Sequence, residues 1–222
     1  GIIVYKTREE GERNLHIKTE KSEKGNWVKL LDTKSNIEPY RINWGGNYLN
    51  YGNWLWCPRD EKYFKNPKIL FIRLRNKSLH RKLIGAYDES NYFNRDNFNN
   101  IIQKDKLYSL KYLLALFNST VINYWYKSHF DNVNINPEQV RLIPIKKSNV
   151  LIQRPFISLV DYIVFLKSER LKDLEELIIP TYFEQIIDGM VYELYFPDLL
   201  KKHKREIITH LGELPEYTDG MS

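Results

Sequence analysis

Rings and cations interleave between Tyr40 and Lys82, and the chemistry they could do is binding rather than bond making. Tyr40, Trp44, Tyr48, Tyr51, Trp54 and Trp56 alternate with or precede Arg41, Arg59, Lys62, Lys65, Lys68, Arg73, Arg75, Lys77, Arg81 and Lys82. Phosphates demand positive charge, while sugars and bases offer planes and edges to aromatic side chains. The contact residues expected from this pattern are Arg41, Tyr48, Tyr51, Trp54, Trp56, Arg59, Lys62, Arg73, Arg75, Lys77, His80, Arg81 and Lys82. Arg73, Arg75 and Arg81 are placed on bases or phosphates, because a guanidinium pairs bidentately with either. The same residues also fit a sheet core rich in aromatics beneath a solvated Lys/Arg surface.

Signatures of catalysis are missing. No glycine-rich loop follows a strand, no cysteine pair has zinc spacing, and no Gly-x-Ser-x-Gly elbow occurs. His16, His80, His129, His203 and His210 lie far apart; His203 and His210 share one helical face in a Lys-rich surface, which reads as solvated. Asp173, Glu175 and Glu176 read as a solvated helix surface, and the single cysteine, Cys57, as a packed residue. With only one cysteine an intramolecular disulfide is impossible, which fits a reducing, cytoplasmic setting. No metal or cofactor site is expected within these residues.

Charge is unevenly spread. Residues 1 to 130 carry 23 Lys/Arg against 13 Asp/Glu, whereas 131 to 222 carry 11 against 15, so a polyanion should meet the first part. A chain of 222 residues with 42% apolar content can build a sizeable core. No stretch nears the roughly 20 apolar residues of a membrane span. The opening Gly1-Ile-Ile-Val-Tyr5 is strand-like and lacks an initiator Met, which suggests a segment of a longer polypeptide.

The elements that must position these groups follow from periodicity. Residues 2 to 5, 13 to 19 and 26 to 32 read as strands bounded by Gly11 and a Gly25-Asn26 turn. From Lys68 to Arg75 alternation predicts Leu70, Ile72 and Leu74 on a core face, with Ile69, Phe71, Arg73 and Arg75 on a contact face. Residues 83 to 87 and 92 to 102 read as further strands. Leu110, Leu113, Leu114, Phe117, Val121, Tyr124 and Trp125 predict one amphipathic helix from Ser109 to His129, and Val140 to Ile145 a closing edge strand. Beyond it, Pro155 is expected to open a helix, Thr181 and Glu184 to form a capping box, Pro197 to stop that helix, and Leu199 to Leu211 to form a last one ended by Gly212. The expected class is α+β: a mixed β-sheet module over residues 1 to 148, backed by an amphipathic helix, then a helical appendage over 149 to 222.

The order of several segments resembles the TaqI-like C-terminal specificity domain, the target-recognition module of adenine-specific DNA methyltransferases and of fused type IIG restriction-modification enzymes. Asn36-Ile-Glu-Pro-Tyr40 with Ile42-Asn-Trp44 and Tyr48-Leu-Asn-Tyr51 resembles its entry segment, and Pro67-Lys-Ile-Leu-Phe-Ile-Arg73 with Leu83-Ile-Gly-Ala-Tyr-Asp88 its central strand pair. Tyr112-Leu-Leu-Ala-Leu-Phe-Asn-Ser119 is similar to its helix and Val140-Arg-Leu-Ile-Pro-Ile145 to its closing strand, a match over about residues 30 to 146. Phe183 to Phe196 resembles a helix that follows this module in larger members. Where the family's entry segment carries a glycine and basic residues, Thr33, Asn36, Glu38 and Pro39 stand here.

The resemblance implies double-stranded DNA as partner and an upstream methyltransferase domain of the same chain. That domain would use S-adenosylmethionine to methylate a flipped-out adenine, with Mg2+ if a nuclease is fused. It implies a cytoplasmic, prokaryotic setting, no membrane, and a fragment that reads DNA without catalysis. A different class remains open: a protein-interaction or scaffolding module, since Tyr, Trp and Arg are also enriched at protein hot spots.

Overall fold

The computed structural model describes residues 1–5, 15–168 and 174–211. Its architecture is α+β, with mixed sheets first and helices last. The first sheet holds β1 (Ile17–Lys18), β2 (Trp27–Leu31), β5 (Tyr48–Asn50) and β8 (Phe93–Asn94) in the order β1-β5-β2-β8. Its strands are antiparallel except for the β2–β8 pair. The chain turns into β2 at Gly25, whose φ of +111° suits a residue without a Cβ; a Cβ there would meet Asn50 Oδ1 at 2.9 Å. Alternation works cleanly here: Ile17, Leu30 and Leu49 are buried in a core completed by Ile2, Val4, Leu55, Phe64 and Phe93. Phe64 and Phe93 stack at 4.6 Å between ring centroids.

A short hairpin, β3 (Ile37–Glu38) and β4 (Arg41–Ile42), leads from the first sheet to the second. Buried Asn36 organises it: its Oδ1 accepts from the Asp32 and Thr33 amides at 3.0 and 2.9 Å, and its Nδ2 donates to the Asn43 carbonyl at 2.7 Å. Where the resemblance leads one to expect a glycine, this chain therefore builds the turn from a side-chain amide.

The second sheet is β6 (Lys68–Ile72) between β7 (Gly85–Asp88) and β9 (Phe98–Ile102), all antiparallel. Contrary to the expected division into core and contact faces, β6 is buried on both. Ile69 and Phe71 enter one apolar core and Leu70 and Ile72 another, as a central strand between two packed layers must. Even Lys68 is fully buried; its ammonium donates to the Asp88 carboxylate and to the Phe64 carbonyl, and Asp88 also accepts from the Ser90 and Tyr92 amides. A buried lysine persists only when paired and hydrogen-bonded in this way.

The single helix expected from Ser109 to His129 is two: α2 (Leu110–Asn118) and α3 (Thr120–His129). A one-turn α1 (Lys62–Lys65) precedes them under the first sheet. Ser119 separates them because it has extended backbone, receives the Ile122 amide on its Oγ at 3.3 Å and donates to the Leu116 carbonyl at 2.7 Å. The apolar periodicity runs through the break, so only the serine marks it.

The closing strand expected at Val140 to Ile145 does not form; α4 (Pro137–Val140) and a turn occupy that stretch. Asn136 and Gln139 form a capping box around Pro137 at the first helical position, and local capping wins over β-propensity. Pro155 does not open its helix. α5 (Val150–Ser168) begins earlier, with Asn149 Oδ1 accepting from the Ile152 amide at 3.0 Å, and buried Pro155 sits inside. The carbonyl that loses its helical partner to Pro155 belongs to Leu151, which is exposed.

Nor does Thr181 cap a helix, since α6 (Leu174–Tyr195) runs through it and Glu184 is drawn to Arg81 and Lys167 instead. Pro197 follows the end of α6 as expected and begins α7 (Pro197–Lys202). The last helix is broken: after Lys204, at φ 53°, a separate α8 (Ile208–Leu211) starts with Glu193 accepting the Ile207 and Ile208 amides. Gly11, Gly212 and Asp173 lie outside the described residues.

The helices after residue 149 complete the core of the module. Ile69 and Phe71 of β6, Leu114 and Phe117 of α2, Phe156, Leu159 and Ile163 of α5, and Ile187, Met190 and Val191 of α6 belong to one buried cluster. Polar contacts reinforce it: Lys111 pairs with Asp161 at 2.6 Å, and Asp188 accepts from the Thr120 amide and hydroxyl at 2.7 Å each.

Candidate nucleic-acid interface

Apart from Arg41 in the hairpin and Tyr48 in β5, the expected contact residues divide into two loops. One, residues 51 to 62, joins β5 to α1 and keeps its rings and cations outward. Trp54 and Trp56 are each more than half exposed, Arg59 and Lys62 are exposed, and half-buried Tyr51 props the loop by donating to the Arg59 carbonyl at 2.6 Å. Trp54 Nε1 donates to the Asn50 carbonyl at 2.9 Å, which holds the indole flat against Gly52. Lys62 pairs with Asp60 at 2.9 Å, which raises its pKa, but an exposed pair of this kind is easily exchanged.

The other loop, residues 73 to 82, spends most of its cations on structure. Arg73 donates from Nε to Asn134 Oδ1 at 3.0 Å and from Nη1 to the Asp96 carbonyl at 3.3 Å. Arg75 donates to the Arg81 carbonyl at 3.0 Å, and burial lowers its pKa. Lys82, expected as a contact, is withdrawn from solvent: its ammonium caps the Arg75 and Asn132 carbonyls, and burial lowers its pKa. Arg81 donates to Glu184 Oε2 at 2.6 Å and lies 3.8 Å from Asp188; burial opposes its charge, yet these carboxylates hold its pKa above the usual value. His80 is exposed, as is Lys77, which pairs with Asp131 at 2.9 Å and so lowers that carboxyl's pKa. A loop without regular structure must satisfy its own and its neighbours' carbonyls, and these long donors do that. Arg41 is half-buried in the hairpin, opposite Glu38.

Tyr48 leads to a surface that the sequence pattern did not pick out. Antiparallel register sets Lys18 and Lys29 on either side of Tyr48 along one row of the first sheet, with Trp27 opposite Asn50 in the next row. Because Val28, Leu30 and Leu49 face the core, these side chains face out. The cations lie over the rings: Lys18 5.5 Å from the Trp27 centroid, Lys21 5.3 Å from Tyr48, and Lys29 5.0 Å from Trp44 and 5.7 Å from Tyr92. Trp44 meets Tyr48 edge to face at 5.0 Å, and its Nε1 donates to the Asn47 carbonyl at 2.9 Å. Exposed Glu20 and Glu23 share the intervening turn with Lys21 and Lys24, which leaves that turn neutral and the net positive charge on the strands. The alternation Trp27-Val28-Lys29-Leu30 was the available signal. Its pairing with Tyr48, across nearly twenty residues of chain, was not visible locally.

What this face can do follows from its chemistry. Lysines held over rings by cation–π attraction carry a fixed charge beside a flat apolar surface, a combination that suits phosphate and sugar rather than a buried substrate. Among the described residues no three His, Cys, Asp or Glu side chains come together to hold a metal ion, and no helix is long and apolar enough to cross a membrane.

A search of curated proteins finds no match. The model of one family, the TaqI-like C-terminal specificity domain, matches residues 29–145, from Lys29 in β2 to the turn after α4. That span takes in the hairpin, the whole second sheet and the α2–α3 break. It covers more than half of the 222 residues, and the chain belongs to the TaqI-like C-terminal specificity domain family.

Proposed function

We propose that this chain is the DNA target-recognition module of a restriction-modification adenine methyltransferase, and that it reads duplex DNA without performing the transfer itself. The observation that carries the DNA reading is the row Lys18–Tyr48–Lys29 with Trp44 and Tyr92 beside it, on a domain of a specificity family. Lysines of this face set position on phosphates, and the exposed loop bearing Trp54, Trp56, Arg59 and Lys62 lies in the neighbouring connection, where its side chains reach sugars or base edges.

Methyl transfer belongs in this proposal to an upstream domain of the parent polypeptide that binds S-adenosylmethionine. The sequence has no glycine-rich loop of the kind that cradles a nucleotide cofactor, and among the described residues no three His, Cys, Asp or Glu side chains come together to hold a metal ion. A cytoplasmic setting, on the DNA of a prokaryote, accompanies this role.

The test is a salt titration of duplex binding by fluorescence anisotropy. About six phosphate contacts give a log–log slope near −5. A folded sample that ignores every duplex at low salt, or binds with no salt dependence, overturns the proposal.

A further inference from the structure

Among the described residues, four that are not glycine hold left-handed backbone: Tyr40, Arg59, Asn91 and Lys204, at φ 64°, 64°, 61° and 53°. That conformation presses a Cβ against a carbonyl oxygen, so it persists only where the surroundings enforce it. Three of the four have an architectural reason. Asparagine visits this region readily. Buried Tyr40 sets its amide on the Gly85 carbonyl at 3.0 Å. Lys204 turns the chain out of α7: its own amide returns to the Lys201 carbonyl at 3.1 Å and that of Arg205 to the Leu200 carbonyl at 3.0 Å, the pair of bonds that commonly closes a helix. Arg59 is exposed and ends no helix.

Bonds on both sides of Arg59 enforce its backbone. The Cys57 amide and carbonyl exchange hydrogen bonds with Ile3 at 2.9 and 3.0 Å, and Asp60 Oδ1 accepts from the Lys62 amide at 2.9 Å. Between these anchors the Tyr51 hydroxyl donates to the carbonyl of Arg59 itself at 2.6 Å, and the Tyr51 ring packs on Phe93 at 4.9 Å between centroids, against the core of the first sheet. The neighbouring carboxylates are engaged, Asp60 with Lys62 and Glu61 with Lys65. The guanidinium keeps one long bond, from Nε to the Gly1 carbonyl at 3.4 Å, and its two Nη groups have no partner among the described residues.

Strain retained at an exposed position points to the use of its side chain. A phosphate contact does not require it, since a mobile lysine supplies the charge; a base edge does, because two parallel N–H groups must meet two acceptors in one plane. We infer that Arg59 reads a base edge, the O6 and N7 of a guanine, and that Tyr51 is the positioning residue that aims it. The inference deepens the DNA-reading role and rests on it.

The experiment incubates the full 222-residue chain with a pool of duplexes of randomised sequence and sequences those that bind. The parent enriches a word containing a guanine whose preference falls about tenfold in Arg59→Lys, while the salt slope is unchanged because the charge is kept. Tyr51→Phe keeps the ring on Phe93, removes the hydroxyl and loosens the same position about threefold. Two glycine variants separate use from architecture. Arg59→Gly raises the urea midpoint, since glycine adopts left-handed backbone freely, and loses the same base; Lys204→Gly raises the midpoint and leaves the word unchanged.

A word kept at every position by Arg59→Lys, a parent that binds duplexes without enriching any word, or an Arg59→Gly variant of lowered midpoint would overturn the assignment while salt-dependent duplex binding stands. Loss of the guanine in Arg59→Lys but not in Tyr51→Phe keeps Arg59 and removes Tyr51. A parent that binds no duplex removes the DNA-reading role and this assignment together.

Discussion

Asn118 holds Gly85 by both ends of its amide: Oδ1 accepts from the Gly85 N–H at 2.8 Å and Nδ2 donates to the Gly85 carbonyl at 3.0 Å. That carbonyl also receives the Tyr40 amide at 3.0 Å, so hairpin, sheet and helix meet at one peptide. Asn123 repeats the device on Leu83, and a Cβ on Gly85 would crowd Ile69 and Leu114 at 3.1 and 3.2 Å. The Asn-Ser that closes the family-like helix thus acts at two places, the asparagine pinning β7 while the serine ends α2 and caps α3.

Asn118→Leu is expected to destabilise the protein by about 1–3 kcal/mol, since it strands the buried Gly85 N–H, while the Gly85 carbonyl keeps the Tyr40 amide. Asn118→Asp keeps an acceptor for the Gly85 N–H but sets a carboxyl oxygen against the Gly85 carbonyl in a buried site, and should destabilise as well. Urea midpoints of the two variants decide it. A leucine variant as stable as the parent would mean that the clamp contributes nothing.

Reversing Lys18 and Lys29 to Glu should weaken duplex binding at low salt by about tenfold or more and flatten the salt slope by about 2. Both side chains are exposed, so the melting temperature should move little. Lys65→Glu with Lys77→Glu serves as the comparison, because each of those lysines already faces a carboxylate and neither lies on the proposed contact surface. An unchanged slope in the folded Lys18/Lys29 variant removes this face from the interface.

A chain ending at residue 148 should not fold cooperatively. It retains all of the family-matched span but loses Phe156, Leu159, Val160, Ile163, Ile187, Met190 and Val191 from the principal core. Each buried side chain of this kind contributes about 1.5–3 kcal/mol, far beyond the margin of a typical domain when summed. Dispersed amide resonances and a single sharp urea transition from residues 1 to 148 would show the opposite.

Alkaline pH should unfold the protein through its tyrosines. Burial raises the pKa of Tyr40 beyond the usual range and pushes Tyr87, Tyr112 and Tyr126 up to about 12. Unfolded phenols ionise near 10, so the stability these groups contribute is complete below about pH 10 and is lost as pH rises from about 10 towards 12. The loss is about 1.4 kcal/mol per pH unit for each phenol still protonated in the folded state. Lys68 and Lys82, whose pKa values burial lowers, work the other way up to the ordinary lysine value of 10.5, and the tyrosines outnumber them. Urea midpoints at about pH 9 and pH 11, alongside tyrosinate absorbance, read this out. Tyrosines that titrate near 10 in the folded protein would refute it.

Much of this molecule was legible in the order of its residues. Strand-like composition marked residues 26 to 32 and 92 to 102, though the second stretch forms two strands, β8 and β9; three-and-four spacing marked the helices, and the sequence of short motifs pointed to the specificity-domain family, because periodicity and motif order are local and survive without contacts. Local chemistry also competes with itself: apolar spacing concealed the Ser119 break, and β-propensity at Val140 to Ile145 gave way to the Asn136-Pro137 cap.

Only the tertiary structure decided which cations remain available. Lys82 and Arg81 read like their exposed neighbours, yet one fills the junction with residue 132 and the other meets Glu184 about a hundred residues away. Lys18 and Lys29 stand outside the residues expected as contacts, and only register places Tyr48 between them. A charged side chain's role depends on what lies within a few ångströms of its tip, and that distance is set by strand pairing and loop closure, which no local window of residues contains.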